Sequence, residues 1–254
     1  MSATKRKVLI TGAAGRIGTE LTRRLGDRYD LRLHFNRTVP DQPLVDDYVV
    51  ANIADYDAIA PAMEGVDSII HLAGQPSWRA EWADVHEANV QGQFNVYESA
   101  RKAGVRRILF ASTNHVMGMY DRDTAWPIYA DQPVRPDSLY GVTKAFGETL
   151  GRHYHDRYGM SVINFRIGWF LEKPEDEIAR YMWLSPRDFA QLCWRAIESD
   201  VGYGTFYAIS GNSSRNWDIT DSIVRLGYRP EDDADEHMPP KYGHASFNDG
   251  QAGS

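Results

Sequence analysis

The chain has 254 residues, a formal net charge of −7 and one cysteine, Cys193. This length suits one well-buried α/β domain with a small appendage, and no apolar run approaches the ~20 residues of a membrane helix, so we expect no membrane association. One cysteine excludes an internal disulfide and is typical of the reducing cytoplasm, where we place the protein. The acidic balance argues against a nucleic-acid partner.

Short apolar strands alternate with amphipathic helices along the chain. Strand patterns lie at 7–11, 31–35, 48–50, 68–72, 107–112, 161–166 and 205–209, and helical patterns lie at 16–25, 55–63, 85–103 and 142–158. This alternation predicts parallel pairing and therefore an α/β fold with a doubly wound sheet of the Rossmann type. Ligands of such sheets bind beyond the carboxyl ends of the strands.

A glycine-rich turn, Thr11-Gly-Ala-Ala-Gly-Arg-Ile-Gly18, follows the first strand and opens the first helix. Glycines in this context let the backbone approach a pyrophosphate. The helix N-terminus adds free N–H groups and a favourable dipole. The turn therefore predicts a dinucleotide-binding site.

The end of the second strand bears on the choice of cofactor. Phe35 stands where an NAD enzyme usually carries an acid that bonds both ribose hydroxyls. Without that carboxylate nothing repels a 2′-phosphate, and Arg37 could bind it. Asn36 could donate to either form of the ribose. The sequence therefore predicts NADP, with NAD possible.

Tyr140 and Lys144 are four residues apart, so on a helix their side chains share one face, one turn apart. A free tyrosine has a pKa near ~10, and a neighbouring ammonium favours the phenolate and lowers that pKa. We interpret Tyr140 as a general base and Lys144 as the charge that activates it.

The glycine turn, His71-Leu-Ala-Gly74, Ser112-Thr-Asn-His115 and the Tyr140–Lys144 pair together resemble an extended short-chain dehydrogenase/reductase over roughly the first 170 residues. The stretches 111–115, 139–144 and 183–188 are similar to the sugar C1 dehydrogenases. That group includes uronate dehydrogenases and the haloarchaeal glucose-6-phosphate and L-arabinose dehydrogenases.

The resemblance implies the roles of individual residues. Thr113 would hold the sugar oxygen that loses its proton, with Ser112 in reserve, beside the catalytic Tyr140 and Lys144. The implied substrate-binding residues are Ser77, Ser112, Thr113, Asn114, His115, Tyr140 and Trp169. The implied cofactor-binding residues are Gly12, Gly15, Arg16, Ile17, Asn36, Arg37, Asn52, Ile53, Leu72, Ala73, Gly74, Tyr140, Lys144 and Ile167. We expect no metal site.

The substrate pocket departs from that of uronate dehydrogenases. The resemblance implies that those enzymes carry an arginine five residues before the position that Trp183 occupies here. Ile178 occupies that position here, and Arg180 is two residues out of register. Trp169 stands where they have a serine and offers an apolar face to a pyranose. Arg79 is another residue that could reach the sugar.

These features favour oxidation of a neutral aldose at C1 to the lactone, with L-arabinose as the leading candidate. A glucose-6-phosphate or uronate dehydrogenase is the first alternative. A nucleotide-sugar epimerase or dehydratase is the second, although the chain is short for that class. A redox-sensing regulator is disfavoured because Thr113, Tyr140 and Lys144 are all present.

The expected organisation is an NAD(P)-binding domain at 1–168 and a small C-terminal substrate lobe at 169–230, interleaved with the last strands and helices. A loosely ordered acidic tail is expected at 231–254. Residues 113–138 are expected to form a long loop over the active site. We expect a homo-oligomer that acts on a small sugar.

Overall fold

A parallel sheet forms the centre of the computed structural model, which describes residues 5–238. The strands are β1 (Lys7–Thr11), β2 (Asp30–Phe35), β3 (Tyr48–Val50), β4 (Ser68–His71), β5 (Arg107–Thr113), β6 (Ser161–Ile167), β7 (Trp169–Phe170), β8 (Trp183–Leu184) and β9 (Tyr203–Ala208). Within this part of the chain seven of them form one sheet in the order β3-β2-β1-β4-β5-β6-β9, and β7 and β8 form a separate pair. The predicted doubly wound Rossmann-type fold is confirmed, with its reversal of strand order between β1 and β4.

Helices cover both faces of this sheet. They are α1 (Arg16–Leu25), α2 (Tyr56–Ile59), α3 (Trp82–His86), α4 (Gly92–Lys102), α5 (Gly118–Arg122), α6 (Leu139–Tyr158), α7 (Glu177–Met182), α8 (Pro186–Glu198) and α9 (Thr220–Leu226). A π-helical turn, Glu87–Gln91, joins α3 to α4. Across residues 5–238, no helix combines the length and the apolar character that crossing a membrane requires.

The core has two halves because successive side chains of a strand point to opposite faces. In β1, Val8 and Ile10 pack in one buried cluster with α1 and α8, whereas Leu9 packs in the other with α4. Burial on both faces explains why the strands are continuous apolar runs. The shared register, which places Thr11 opposite His71 and His71 opposite Phe110, aligns the carboxyl ends of β1, β4 and β5.

The segment predicted as a long loop contains local structure. A 3-10 turn at Asn114–Met117 leads directly into α5. Farther along, β7 pairs with β8 so that Trp169 lies opposite Trp183, and α7 lies between them in the chain. These short elements build one wall of the cavity described below.

Residues 231–238, the beginning of the predicted loose tail, are tied to the rest of the molecule. The buried Asp188 carboxylate accepts hydrogen bonds from the backbone N–H groups of Glu231 (2.8 Å) and Asp232 (3.1 Å). Asp235 is ion-paired with Arg180 of α7. This stretch therefore docks instead of being loose, and the remainder of the predicted tail, 239–254, lies outside the described residues.

Candidate active site

A cavity of about 1420 Å³ opens at the carboxyl ends of the central strands. It exceeds the range of about 300–1,000 Å³ usual for small-molecule pockets, so it can take a dinucleotide and a smaller molecule together. Of the predicted site residues, those that line it are Gly12, Gly15, Arg16, Ile17, Asn36, Arg37, Asn52, Ile53, Leu72, Ala73, Gly74, Ser112, Thr113, Asn114, His115, Tyr140, Lys144, Ile167 and Trp169.

Ser77 is the predicted residue that the structure places elsewhere. It is exposed, does not line the cavity, and accepts a hydrogen bond through its hydroxyl from the Arg79 N–H (3.3 Å). The expectation that Ser77 contacts the substrate is therefore not supported by the geometry. Its neighbours Trp78 and Arg79 do border the cavity.

The glycine turn forms one end of the cavity. Gly12 has φ +71°, and a Cβ there would lie 3.0 Å from the Ala73 nitrogen. Helix α1 begins after Gly15 with no side chain capping its N-terminus, so its first N–H groups remain available to a ligand. A Cβ on Gly18 would lie 2.6 Å from the Gly12 oxygen, so glycine lets the helix pack onto the turn. These residues fit the pyrophosphate of a dinucleotide.

A buried histidine, His34, supports this turn and was missed by sequence reasoning. Its Nδ1 accepts a hydrogen bond from the Gly12 N–H (3.3 Å), and its Nε2–H donates to the Ala51 carbonyl (2.9 Å). Burial lowers the pKa of His34, which keeps it in the neutral form that this arrangement needs. The only sequence signal was a polar residue within the apolar strand Leu31-Arg-Leu-His-Phe35.

The end of β2 shows which side chains would meet the adenosine ribose. Phe35 is 2% exposed and packs edge-on against Tyr48 with ring centroids 5.7 Å apart, so it belongs to the core. Asn36 and Arg37 are exposed and line the cavity. Asn52, one of the implied cofactor-binding residues, donates from its amide to Glu87 Oε1 (2.9 Å).

Tyr140 and Lys144 lie on the first turns of α6, and the Ser138 hydroxyl caps that helix by accepting from the Gly141 N–H. Lys144 Nζ donates to the Ala111 carbonyl (2.8 Å) and lies 5.7 Å from the centroid of the Tyr140 ring. Both side chains are buried. The predicted one-turn arrangement is therefore present.

Burial dominates the ionisation of this pair. It raises the pKa of Tyr140 to about 12, opposed by a hydrogen bond with Thr113, and it lowers the pKa of Lys144 to about 8. We expected Lys144 to lower the pKa of Tyr140, but in this structure burial raises that pKa and Thr113 supplies the opposing influence.

Thr113 and Ser112 point to different neighbours. The Thr113 hydroxyl bonds with Tyr140, donates to Asn114 Oδ1 (3.2 Å) and caps the following turn. The Ser112 hydroxyl donates to Glu148 Oε1 (2.5 Å) within a buried network. Thr113 is therefore placed as the hydroxyl that could orient a substrate, whereas the Ser112 hydroxyl is committed to the protein.

The other end of the cavity holds aromatic and sulfur side chains. Trp78 stacks on His115 with centroids 6.2 Å apart and planes 15° from parallel. The Asn114 amide donates to Met182 Sδ (3.4 Å), and Trp169 and Trp217 complete the lining. Trp78 and Trp217 carried no sequence signal, because only the fold brings them to the cavity.

Helix α7 presents an apolar face to this end. Ile178 and Met182 line the cavity, four residues apart on one helical face. Arg180 does not line it, because its buried side chain is ion-paired with Glu177 (3.2 Å) and Asp235. The out-of-register arginine is thus held on the far side of the helix.

Comparison with known proteins agrees with this geometry. Residues 8–170 match the model of the NAD dependent epimerase/dehydratase family. The chain is 39% identical to the L-arabinose 1-dehydrogenase (NAD(P)(+)) of Haloferax volcanii, with 90% of this chain and 97% of that protein covered. It is 38% identical to the NAD-dependent glucose-6-phosphate dehydrogenase of the same organism, with 90% and 94% covered.

A solved structure is also similar. The crystal structure of glucuronic acid dehydrogenase from Chromohalobacter salexigens aligns with a TM-score of 0.85 at 34% identity and covers 94% of this chain and 92% of that one. The predicted resemblance to the extended short-chain dehydrogenases/reductases is confirmed. The chain belongs to the NAD dependent epimerase/dehydratase family.

Proposed function

We propose that the protein is an NAD(P)-dependent dehydrogenase that oxidises a neutral aldose at C1 to its lactone. The observation that carries this proposal is the grouping of Thr113, Tyr140 and Lys144 in one cavity with the glycine turn. The names of the relatives support it, since they are dehydrogenases of arabinose, glucose 6-phosphate and glucuronic acid.

Different residues would bind different parts of the dinucleotide. The glycine turn would hold the pyrophosphate, Asn36 and Arg37 the adenosine ribose, and Asn52 and Ile53 the adenine. The bound dinucleotide would supply a nicotinamide ring that accepts the hydride of C1.

Tyr140 and Lys144, both on α6, would carry out the proton transfer. The Thr113 hydroxyl orients the C1 hydroxyl, and the Tyr140 phenolate takes its proton as C1–H leaves as hydride. Lys144, held by the Ala111 carbonyl, places positive charge near the Tyr140 ring. The sugar ring stays closed, so the carbonyl forms at C1 and the product is a lactone.

The apolar wall supports a neutral substrate. Ile178, Met182 and Trp169 border the cavity, whereas Arg180 is neutralised elsewhere. A buried carboxylate or phosphate without a cationic group beside it would be costly. Arg79 and Arg122 also border the cavity but are exposed, where charge pairing is weak. L-arabinose is our leading substrate.

Steady-state assays with aldoses, uronates and sugar phosphates, each with both cofactors, test the substrate. We expect kcat/KM for L-arabinose to exceed that for glucose 6-phosphate and galacturonate at least about tenfold. Tyr140→Phe should lower kcat by ~10²–10⁴-fold with cofactor affinity unchanged, because the general base is lost. Tyr158→Phe, at the exposed end of the same helix, is the control.

Two outcomes would contradict these expectations. A far higher kcat/KM for a charged sugar would overturn the neutral substrate and implicate Arg79 or Arg122 in anion binding. A Tyr140→Phe variant that keeps a tenth of the rate would remove Tyr140 from the mechanism.

We also propose that NADP is preferred, because the exposed Arg37 lines the ribose end and Phe35 is turned into the core. Arg37→Ala should weaken NADP binding by ~1.5–3 kcal/mol, the scale of a hydrogen bond to a charged group, and leave NAD binding nearly unchanged. Arg24→Ala, on the exposed side of α1, is the control. Equal weakening of both cofactors, measured by fluorescence titration, would show that Arg37 does not bind the 2′-phosphate.

A further inference from the structure

The cavity holds a histidine–carboxylate pair, His115 and Asp137, in which the resemblance implies a substrate contact for His115 but no role is assigned to Asp137. His115 Nδ1 lies 2.9 and 3.0 Å from the two carboxylate oxygens of Asp137. The Asp137 side chain is 8% exposed and that of His115 26% exposed, and both border the cavity. The His115 ring also meets Tyr140 edge-on with centroids 6.0 Å apart, so the pair lies next to the reacting group.

The His115 ring is held from several sides. Trp78 stacks on one face, and the backbone N–H of Asp137 donates to the His115 carbonyl (3.2 Å). Gly118 leaves the space for the Asp137 carboxylate, with which any Cβ at that position would collide. The carboxylate is thus built into a fixed position against Nδ1.

The charge on Asp137 is also determined by its surroundings. Burial raises the pKa of its carboxyl, but the hydrogen bond from His115 and the charges nearby outweigh burial, and the pKa lies below its usual range. Arg122 Nε lies 3.9 Å from the Asp137 carboxylate. Asp121 lines the same wall, and burial together with the negative charge of Asp137 raises its pKa. An ionised carboxylate accepts hydrogen bonds only, so Nδ1 of His115 carries the proton.

It follows that Nε2 of a neutral His115 is an acceptor. Within residues 5–238 Nε2 of His115 has no hydrogen-bond partner. The atom is not buried, so a ligand in the cavity can reach it. We propose that Asp137 is a positioning residue that fixes His115 as the Nδ1–H tautomer, so that Nε2 accepts a hydrogen bond from the sugar hydroxyl next to C1. The inference rests on the proposed function and adds to it a requirement for a free hydroxyl at C2.

A double-mutant cycle measured on the best sugar of the panel tests this. Asp137→Ala should raise KM about tenfold with kcat within threefold, and Asp137→Asn, which keeps an acceptor for Nδ1, should restore most of the affinity. His115→Ala should raise KM by a similar factor. The double variant should be no worse than His115→Ala, because Asp137 acts through His115.

The 2-deoxy analogue of the same sugar separates positioning from mere structural support. The wild type, Asp137→Ala and His115→Ala should all turn it over with the same KM, since the hydroxyl that Nε2 would bind is missing. Asp123→Asn, whose exposed carboxylate pairs with Arg135 (2.8 Å) on the same segment, is the matched control.

Additive effects in the double variant would overturn the inference, as would equal losses in Asp137→Ala and Asp137→Asn. A parallel loss on the 2-deoxy sugar together with a lower melting temperature would show a structural role instead. If a charged sugar proves best, the cycle still applies, and only the substrate assignment fails. If the wild type oxidises no sugar, both the proposed function and this inference are wrong.

Discussion

Tyr140 and Lys144 are two buried titratable groups whose pKa values burial moves in opposite directions, the tyrosine up to about 12 and the lysine down to about 8. Interacting groups this close titrate as a pair. Loss of one proton yields either phenolate with ammonium or phenol with amine, and only the first form contains the base. These pKa values favour phenol with amine in the protein without ligands, so the mechanism requires the bound cofactor and sugar to shift the pair toward phenolate with ammonium.

This coupling predicts a pH profile. Below pH 8 the pair holds both protons, so kcat/KM for oxidation should rise with pH through about 8. Lys144→Met removes the ammonium that favours the Tyr140 phenolate, so at pH 8 the rate should fall by roughly 10²–10⁴-fold, the scale of general-base catalysis. Lys102→Met, at an exposed site on α4, is the control. An unchanged profile in Lys144→Met would rule out the lysine as activator.

At the scale of elements, a buried ion pair connects α6 to the strands beneath it. Arg166 of β6 donates to both oxygens of Glu148 (2.9 and 2.8 Å), and Ser112 of β5 donates to the same carboxylate. The two charged side chains are 3% and 7% exposed. This network ties α6 to β5 and β6, at whose ends Thr113 and part of the cavity wall lie.

Breaking the pair on one side should be costly. Glu148→Gln leaves the buried Arg166 without its carboxylate, so the free energy of unfolding should fall by ~3–5 kcal/mol. Urea denaturation measures this. Asp156→Asn, which breaks an exposed pair with Arg152 on the same helix, should leave it nearly unchanged. A similar loss of unfolding free energy in both variants would mean that the buried pair stabilises the fold no more than the exposed pair does.

The helices also show where sequence patterns stop being informative. One helical pattern at 85–103 predicts a single α-helix, but the chain forms α3, a π turn and α4. Asn89 in that turn accepts from the Gln75 N–H (2.7 Å) and donates to Thr143 (3.2 Å), which joins the loop after β4 to α6. A widened turn satisfies contacts with distant residues, and local periodicity does not record such contacts.

At the scale of the whole molecule, the sheet was predictable because parallel strands bury both faces and appear as apolar runs, such as Val8-Leu-Ile10. Because ligands bind beyond the carboxyl ends of such strands, the predicted strands also indicated that the glycine turn, Thr113 and His115 lie at the site. Side-chain pairing was not predictable in the same way. Asp137 meets His115 across 22 residues and Asp235 meets Arg180 across 55, through loops whose course the pattern leaves open.

The docked C-terminal segment affects the charge beside the cavity through Arg180 of α7. Arg180 is two residues from the position where the resemblance implies an arginine in uronate dehydrogenases, yet Glu177 and Asp235 cancel its charge. Asp235 belongs to the segment that Asp188 anchors through Glu231 and Asp232. The charge at the α7 wall of the cavity thus depends on Asp235, which is distant in sequence, and a comparison of cavity-lining residues alone would miss this aspartate.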